Sequence, residues 1–249
     1  MLVRDRMTTP PITMDVRGSI AGAHGLMRHY DIRRVPILQK GRLVGIVSWT
    51  DLMRALPSPA SLLGAQETPG LLLRASVKEI MTPNPITVSP NQPIEQAALV
   101  MRQEKIGGFP VVEDGALIGV ITESDIFQAF VDLTGIGEKG TRLVVDLTNH
   151  AQGVAALAII TEESGLRLLS FATYAQDGQR LAIVRVDTDN PVALVQVLGE
   201  KGFRVVHLAA LPTALNGKRG HAAHTRPDSV ARNRQTDARF LSGVNSRPQ

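Results

Sequence analysis

The chain repeats itself, and that limits its folds more than any other feature. Shifted by 74 residues, positions 7–55 match positions 81–129 without a gap, with 16 identities in 49 positions. Met7-Thr8 meets Met81-Thr82, and Pro11-Ile12-Thr13 meets Pro85-Ile86-Thr87. Ile20, Ala23, Met27 and Arg28 meet Ile94, Ala97, Met101 and Arg102. Gly41, Leu43, Gly45 and Asp51 meet Gly115, Leu117, Gly119 and Asp125. Two copies are too few for a solenoid, which needs at least about three. A pseudo-twofold pair, each copy burying the other's open face, is the expected solution.

Each copy reads strand-helix-strand-strand-helix. In the second, Ile86-Thr87-Val88 reads as a short strand, and Ile94, Ala97, Ala98 and Met101 recur at helical spacing. Phe109–Val112 and Leu117–Ile121 read as strands joined by Glu113-Asp114-Gly115, a hairpin turn. Thr122-Glu123-Ser124-Asp125 then opens a helix expected to run through Phe130. Ser48-x-x-Asp51 and Thr122-x-x-Asp125 both fit a helix-start cap, with a hydroxyl at the cap and an acid in the first turn. The same geometry suits a nucleotide: free N–H groups and the hydroxyl face a phosphate, and the carboxylate accepts ribose hydroxyls. Cap and site are compatible readings.

Together these residues, Met-Thr, Ile-Thr, Ile-x-x-x-Pro and Gly-x-Leu-x-Gly ending in Ser/Thr-x-x-Asp, given twice, resemble a tandem pair of CBS domains over about residues 1–134. The resemblance implies a disc-like module with two clefts that often hold AMP, ADP, ATP or related adenosine ligands. Mapped onto this sequence, it implies nucleotide-binding positions at Thr13, Ile32, Arg33, Arg34, Val35, Pro36, Ser48 and Asp51 in the first copy. In the second they are Thr87, Ile106, Gly107, Phe109, Pro110, Thr122 and Asp125.

The copies differ where the clefts are expected. Ile32-Arg33-Arg34-Val35-Pro36 faces Ile106-Gly107-Gly108-Phe109-Pro110. Two guanidiniums suit a phosphate through charge-assisted, bidentate hydrogen bonds, or they are solvated at a strand edge. The two glycines leave room for a base or a close backbone approach. One main site, with phosphates at Arg33 or Arg34, is the expectation.

The third segment is a different module. Gly135-Ile136-Gly137-Glu138-Lys139-Gly140 spells G-x-G-x-x-G, but a helix precedes it and a strand follows, the reverse of the dinucleotide fingerprint, so it reads as a linker. From residue 141 the pattern is strand, helix, strand, strand, helix, strand. The helices are expected at Gly153–Glu163 and Pro191–Lys201, and Gln176-Asp177-Gly178-Gln179 is a hairpin signal. This βαββαβ order resembles the ferredoxin-like ACT domain, which often senses amino acids. Gly153 stands for the family's glycine after the first strand, and Asn149 either binds an amino acid or holds a turn, the turn being preferred. The whole is similar to acetoin-utilization proteins of the AcuB type.

The expected fold class is therefore α+β: a CBS domain at 1–56, a linker at 57–76, a second CBS domain at 77–134, a linker at 135–140, a ferredoxin-like ACT-type domain at 141–212 and a disordered basic tail at 213–249. Residues 217–249 carry seven Lys or Arg against two Asp, whereas the net charge of the whole chain is only +4. The body is near neutral, and the basic character belongs to the tail. A basic tail can neutralise nucleic-acid phosphates, but no aromatic platform accompanies it, so a solubilising terminus is preferred.

Enzyme chemistry finds little support. There is no cysteine, which removes thiol nucleophiles and thiolate metal sites. No H-E-x-x-H, G-x-S-x-G or Walker motif occurs, and the six histidines lack ligand spacing. Neither a catalytic cofactor nor a metal is expected. The longest apolar run, Val154–Ile160, is far short of the about 20 residues that span a bilayer, and no signal peptide is visible, so a cytoplasmic protein without a membrane partner is expected. The leading expectation is a non-enzymatic regulator: adenine nucleotide (AMP, ADP or ATP) binds as regulatory ligand and is relayed through the ACT-like domain, in a homodimer, to an unknown protein partner. One alternative is an interaction or transcription-associated protein with empty clefts and a nucleic-acid-contacting tail. Another is an amino-acid sensor acting through the ACT-like domain.

Overall fold

The computed structural model describes residues 1–55, 75–136 and 138–211. The expected separator at 57–76 lies outside them up to residue 74, as does the expected tail at 213–249. Among the described residues no helix is long and apolar enough to cross a membrane.

The first copy comprises β1 (Met14–Asp15), α1 (Ile20–His29), β2 (Arg34–Gln39), β3 (Arg42–Ser48) and α2 (Trp49–Ala55). α1 starts where Ser19 Oγ accepts the N–H of Gly22 at 3.0 Å, and it buries Ile20, Ala23 and Met27, three and seven residues apart on one face. The second copy comprises β4 (Thr82–Pro83), α3 (Ile94–Glu104), β5 (Gly108–Glu113), β6 (Ala116–Thr122) and α4 (Glu123–Thr134). The expected strand at Ile86–Val88 shrinks to a single parallel bridge between Val88 and Val111. Pro85 and Pro90 flank it and supply no N–H, which keeps the ladder short. α4 runs past Phe130 to Thr134, where Gly135 adopts φ 64° and ends it.

The first sheet has the order β1-β2-β3-β4, and β4 comes from the other copy's leading segment. The exchange is reciprocal. Val77, in the short 3-10 turn Val77–Glu79, is fully buried in the first copy's core with Val35, Ile37 and Leu52. Val3, in the matching turn Val3–Asp5, is fully buried in the second copy's core with Phe109 and Ile121. Backbone bonds follow suit: Val77 N–H donates to Gly18 O at 2.9 Å, and Val3 N–H to Gln92 O at 2.9 Å. The boundaries 1–56 and 77–134 thus follow the repeat in sequence, but in space each copy takes its leading segment from the other. The repeated Met and Gly meet at this exchange. A Cβ on Gly45 would sit 2.5 Å from Met81 Sδ, and one on Gly119 would sit 2.8 Å from Met7 Sδ.

The remaining elements are β7 (Gly140–Asp146), α5 (Gly153–Glu163), β8 (Leu168–Gln176), β9 (Gln179–Val186), α6 (Val192–Glu200) and β10 (Arg204–Leu211). They follow the expected βαββαβ order and form an antiparallel sheet ordered β10-β7-β9-β8. One face of the sheet alternates Leu143, Val145, Ala182 and Val184 into a core closed by Leu157 of α5 and Leu194 of α6. The β2–β3, β5–β6 and β8–β9 hairpins turn on Lys40-Gly41, Asp114-Gly115 and Asp177-Gly178, with φ of 49° and 78°, 49° and 77°, and 50° and 76°. Two successive positive φ angles define the type I′ turn that matches strand twist. Gly135 closes α4 and Gly140 opens β7.

After β7 the chain is pinned by Asp146. Its Oδ1 accepts Thr148 N–H at 2.9 Å and Thr148 Oγ1 at 2.6 Å, and its Oδ2 accepts Arg204 Nη2 at 2.8 Å. The Thr148 hydrogen bonds first, and Arg204 after them, hold this carboxyl down to about 2.

Gly45→Ala forces Met81 aside and destabilises the protein by about 1–3 kcal/mol. Combined with Met81→Ala, its cost falls below the sum of the singles by about 1 kcal/mol, measured as a double-mutant cycle in chemical denaturation. Asp146 binds its proton less readily in the folded state, so its contribution is complete above the ordinary value of 3.8 and is lost as pH falls towards about 2. Asp146→Asn therefore flattens the loss of stability between those pH values, seen in denaturation midpoints taken across them.

Candidate functional site

The strand register places the two signature motifs at equivalent ends of their hairpins. Arg34 faces Ser48 across β2–β3, and Gly108 faces Thr122 across β5–β6. The backbone closes each corner: Trp49 N–H donates to Arg33 O at 2.8 Å, and Glu123 N–H to Gly107 O at 3.1 Å. Asp51 Oδ2 accepts Ser48 N–H at 2.8 Å and Ser48 Oγ at 2.6 Å. Asp125 Oδ2 accepts Thr122 N–H at 2.7 Å and Thr122 Oγ1 at 2.6 Å. Both motifs are therefore working helix caps. Each hydroxyl donates to the aspartate of its own motif. Oδ1 of each aspartate accepts no hydrogen bond among the described residues and keeps its capacity for a ligand hydroxyl.

Burial sorts the other expected positions. Val35 and Phe109 are fully buried in the cores of their copies, so they offer backbone and not side chain to a cleft. Alternation along a strand dictates this, since the residue after Arg34 or Gly108 must point the other way. Pro36 and Pro110 are buried too. Thr13 precedes β1, whose pairing of Met14 with Ile37 brings it alongside Pro36. Thr87 is exposed and lies beside Pro110, whose carbonyl accepts Val88 N–H at 3.1 Å. Ile32 and Ile106 are half-buried at the strand entrances.

Arg33 and Arg34 part company. Arg33 is exposed, whereas Arg34 reaches into the second copy. A Cβ on Gly107 would collide with Arg34 Nη2 and lie 2.7 Å from Glu123 Oε2. A Cβ on Gly108 would stand 3.3 Å from Arg34 Cδ. The glycine pair is the room that Arg34 occupies. Its guanidinium sits by the first turn of α4, over Glu123 and within the field of both copies. Burial pulls its pKa below the ordinary arginine range; Glu123 opposes that shift, Arg33 adds to it and Asp51 opposes it. Sequence comparison of the copies marked Arg34 and Gly107-Gly108 as different; their mutual contact had no signal in the pattern.

A separate groove of about 590 Å³ lies on the C-terminal unit. The loop Asn149–Gly153 lines it together with Glu163, Lys201 and Phe203. His150 stacks on Phe203 with ring centroids 4.2 Å apart, and Lys201 pairs with Glu163 at 3.6 Å. Asn149 stands in a turn, as preferred from the sequence. Among the described residues no group of three or more His, Asp or Glu could hold a metal ion.

Comparison with known proteins falls on the paired copies. The model of the CBS domain matches twice, at residues 3–58 and 77–132. A CBS domain-containing protein of Dictyostelium discoideum is 30% identical over 133 residues, which cover 53% of this chain and 92% of that protein. The L-aspartate semialdehyde sulfurtransferase of Methanocaldococcus jannaschii is 34% identical over 52% of this chain, but over only 23% of its own length. The inosine-5'-monophosphate dehydrogenase of Korarchaeum cryptofilum is 36% identical over 51% of this chain and 22% of its own. The chain thus spans under a quarter of these two enzymes, and the match covers the paired copies alone. Among solved structures, a CBS domain pair in complex with 5'-methylthioadenosine and S-adenosyl-L-methionine is 33% identical, covering 52% of this chain and 95% of that one, with a TM-score of 0.44. A Vibrio cholerae protein described as an acetoin utilization protein is 34% identical, covering 53% of this chain and 92% of that one, also with a TM-score of 0.44.

Proposed function

The chain belongs to the CBS-domain family, with two copies in tandem, and from that premise we propose that it is a non-enzymatic regulator that senses adenine nucleotides at the opening turn of α4. The observation that carries this reading is the convergence of Arg34 from one copy with Gly107, Gly108, Thr122 and Asp125 of the other. Asp125 takes the ribose diol through Oδ1, because Oδ2 is held by the cap. The α4 N-terminus and Arg34 take phosphate, the first through N–H groups and dipole, the second through a charged fork. Glu123 lies beside Arg34 at Gly107 and opposes the effect of its partial burial. An arriving phosphate competes with that carboxylate for the guanidinium, so affinity depends on phosphate number. The first copy repeats Ser48 and Asp51 but sends its Arg34 away, which makes the two clefts unequal and the second the main site. The C-terminal unit, read as ACT-type from its βαββαβ order and Gly153, receives the signal. Only a difference in nucleotide affinity between two arrangements of the chain can drive such a relay.

A second copy of the chain is the proposed partner of α4. Phe127, Phe130 and Leu133 are exposed by 69%, 59% and 57%, an apolar stripe at helical spacing. Its pseudo-twofold mate Met53 on α2 is also exposed.

The groove at Asn149–Gly153 favours one further reading, an amino-acid ligand on the C-terminal unit. It predicts a ligand-induced thermal shift that survives Asp51→Ala and Asp125→Ala together.

Calorimetric titration with AMP, ADP, ATP and S-adenosylmethionine tests the main reading. Asp125→Ala and Arg34→Ala are each expected to weaken nucleotide binding about tenfold or more, the scale of one lost hydrogen bond to a charged group. Asp51→Ala has a smaller effect. Unchanged affinity in the Arg33→Ala, Arg34→Ala double variant would overturn the phosphate assignment, and no heat with any ligand would overturn the nucleotide reading. Phe127→Ser with Phe130→Ser is expected to give a monomer by light scattering where the native chain gives a dimer; an unchanged mass overturns the interface.

A further inference from the structure

We propose that Arg185 is the residue through which α4 acts on the C-terminal sheet. The proposal rests on the nucleotide reading and names its relay.

The two ends of α4 do different work. Thr122, Glu123 and Asp125 stand at its opening turn, in the candidate cleft. Thr134 and Gly135 stand at its close, about 18 Å away along a 12-residue helix. There the helix meets β8 and β9. Arg185 belongs to β9 and is only 1% exposed. Its neighbours Val184 and Val186 point into the helix-covered core, so Arg185 points to the opposite face of the sheet. Its Nη1 donates to Thr134 O at 3.2 Å, and its Nη2 donates to Glu138 O at 2.7 Å. Ser170 Oγ of β8 donates to the same Thr134 carbonyl at 2.9 Å. Nε finds no partner among the described residues, and none of the ion pairs found there includes Arg185.

A buried guanidinium stays charged and is ordinarily paired with a carboxylate. Here the compensating charge is the negative end of α4 itself, presented through the Thr134 carbonyl, with one linker carbonyl beside it. That makes the cation sensitive to position. A carboxylate on a flexible side chain follows its partner; a helix-end carbonyl moves only when the helix moves. Displacement of α4 at the nucleotide end therefore strips partners from a buried charge near the C-terminal end of β9, and the sheet must respond. The leading segment adds a second constraint: Arg6, in the exchanged lead, pairs with Asp132 in the last turn of α4. The helix is held by the pair on one side and by Arg185 on the other.

The test is hydrogen exchange on the full chain with and without saturating AMP, ADP or ATP. In the native chain nucleotide is expected to change exchange at residues 168–186 by about fivefold or more, as well as at residues 122–126. In Arg185→Met affinity stays within about twofold and the change at 122–126 persists, while that at 168–186 disappears. A full response at 168–186 in Arg185→Met overturns the proposal. If no nucleotide binds, the sensing reading has failed, and the coupling is then read without ligand. Asp125→Ala loosens the opening turn of α4 and is expected to raise exchange at 168–186 in the native background but not in Arg185→Met. Absence of that effect in the native background overturns the relay on its own account. Arg185→Lys keeps the charge and loses the fork; it carries the same comparison should Arg185→Met fail to fold.

Discussion

The exchange of leading segments is the constraint on which the paired copies depend. Each core is incomplete without a residue from the other copy's lead: Val3 fills the second, Val77 the first. Neither position tolerates a gap, because both valines are fully buried. The methionines that follow lie against Gly45 and Gly119, where no side chain fits between strand and lead. Two half-independent copies would open and close freely about their interface. Two copies that each supply part of the other's core cannot separate without exposing both. The relative placement of the two halves of a cleft, Arg34 on one copy and the α4 cap on the other, is fixed by that packing before any ligand arrives.

The caps give the candidate site its chemistry and also restrict it. One oxygen each of Asp51 and Asp125 closes a helix start, so the carboxylates are held in orientation by their own caps. In the nucleotide site we propose, the second oxygen is left for the ligand and the phosphate end is met by a residue of the other copy. Gly107-Gly108 admits an arginine that begins in the first copy, and Glu123 opposes the effect of its partial burial. The asymmetry of the copies is thus a single exchange: two arginines on one side, two absent side chains on the other.

Much of this was legible in the sequence, because repetition and period are local properties. The hairpin turns were legible as polar-glycine pairs, and all three described hairpins turn on two positive φ angles. The βαββαβ order was legible from apolar spacing, with α5 at Gly153–Glu163 as expected. Strand alternation could also have removed Val35 and Phe109 from the cleft side chains, since Arg34 and Gly108 precede them directly. The exchange was not legible. An identity between Met7 and Met81 says that the two leads are equivalent; it is silent on which core each one enters, because either choice satisfies the same pattern. The crossing of Arg34 was hidden for the same reason: it joins positions 73 and 74 residues away, with no period between them.

Arg185 shows where sequence reasoning stops for a physical reason. Nothing in the sequence singles it out, because a charged side chain is seldom buried without a carboxylate beside it. The structure buries it against a helix end, and helix ends carry no residue-type signature of charge; their negative potential comes from backbone carbonyls that every sequence has. A buried cation balanced by side chains depends on two residues. One balanced by a helix terminus depends on where the whole helix lies, and α4 is the helix whose other end holds Thr122 and Asp125. The proposed connection between cleft and sheet is therefore a property of placement, set by the packed leads, the length of α4, the Thr134 carbonyl at its close and the Glu138 carbonyl of the linker.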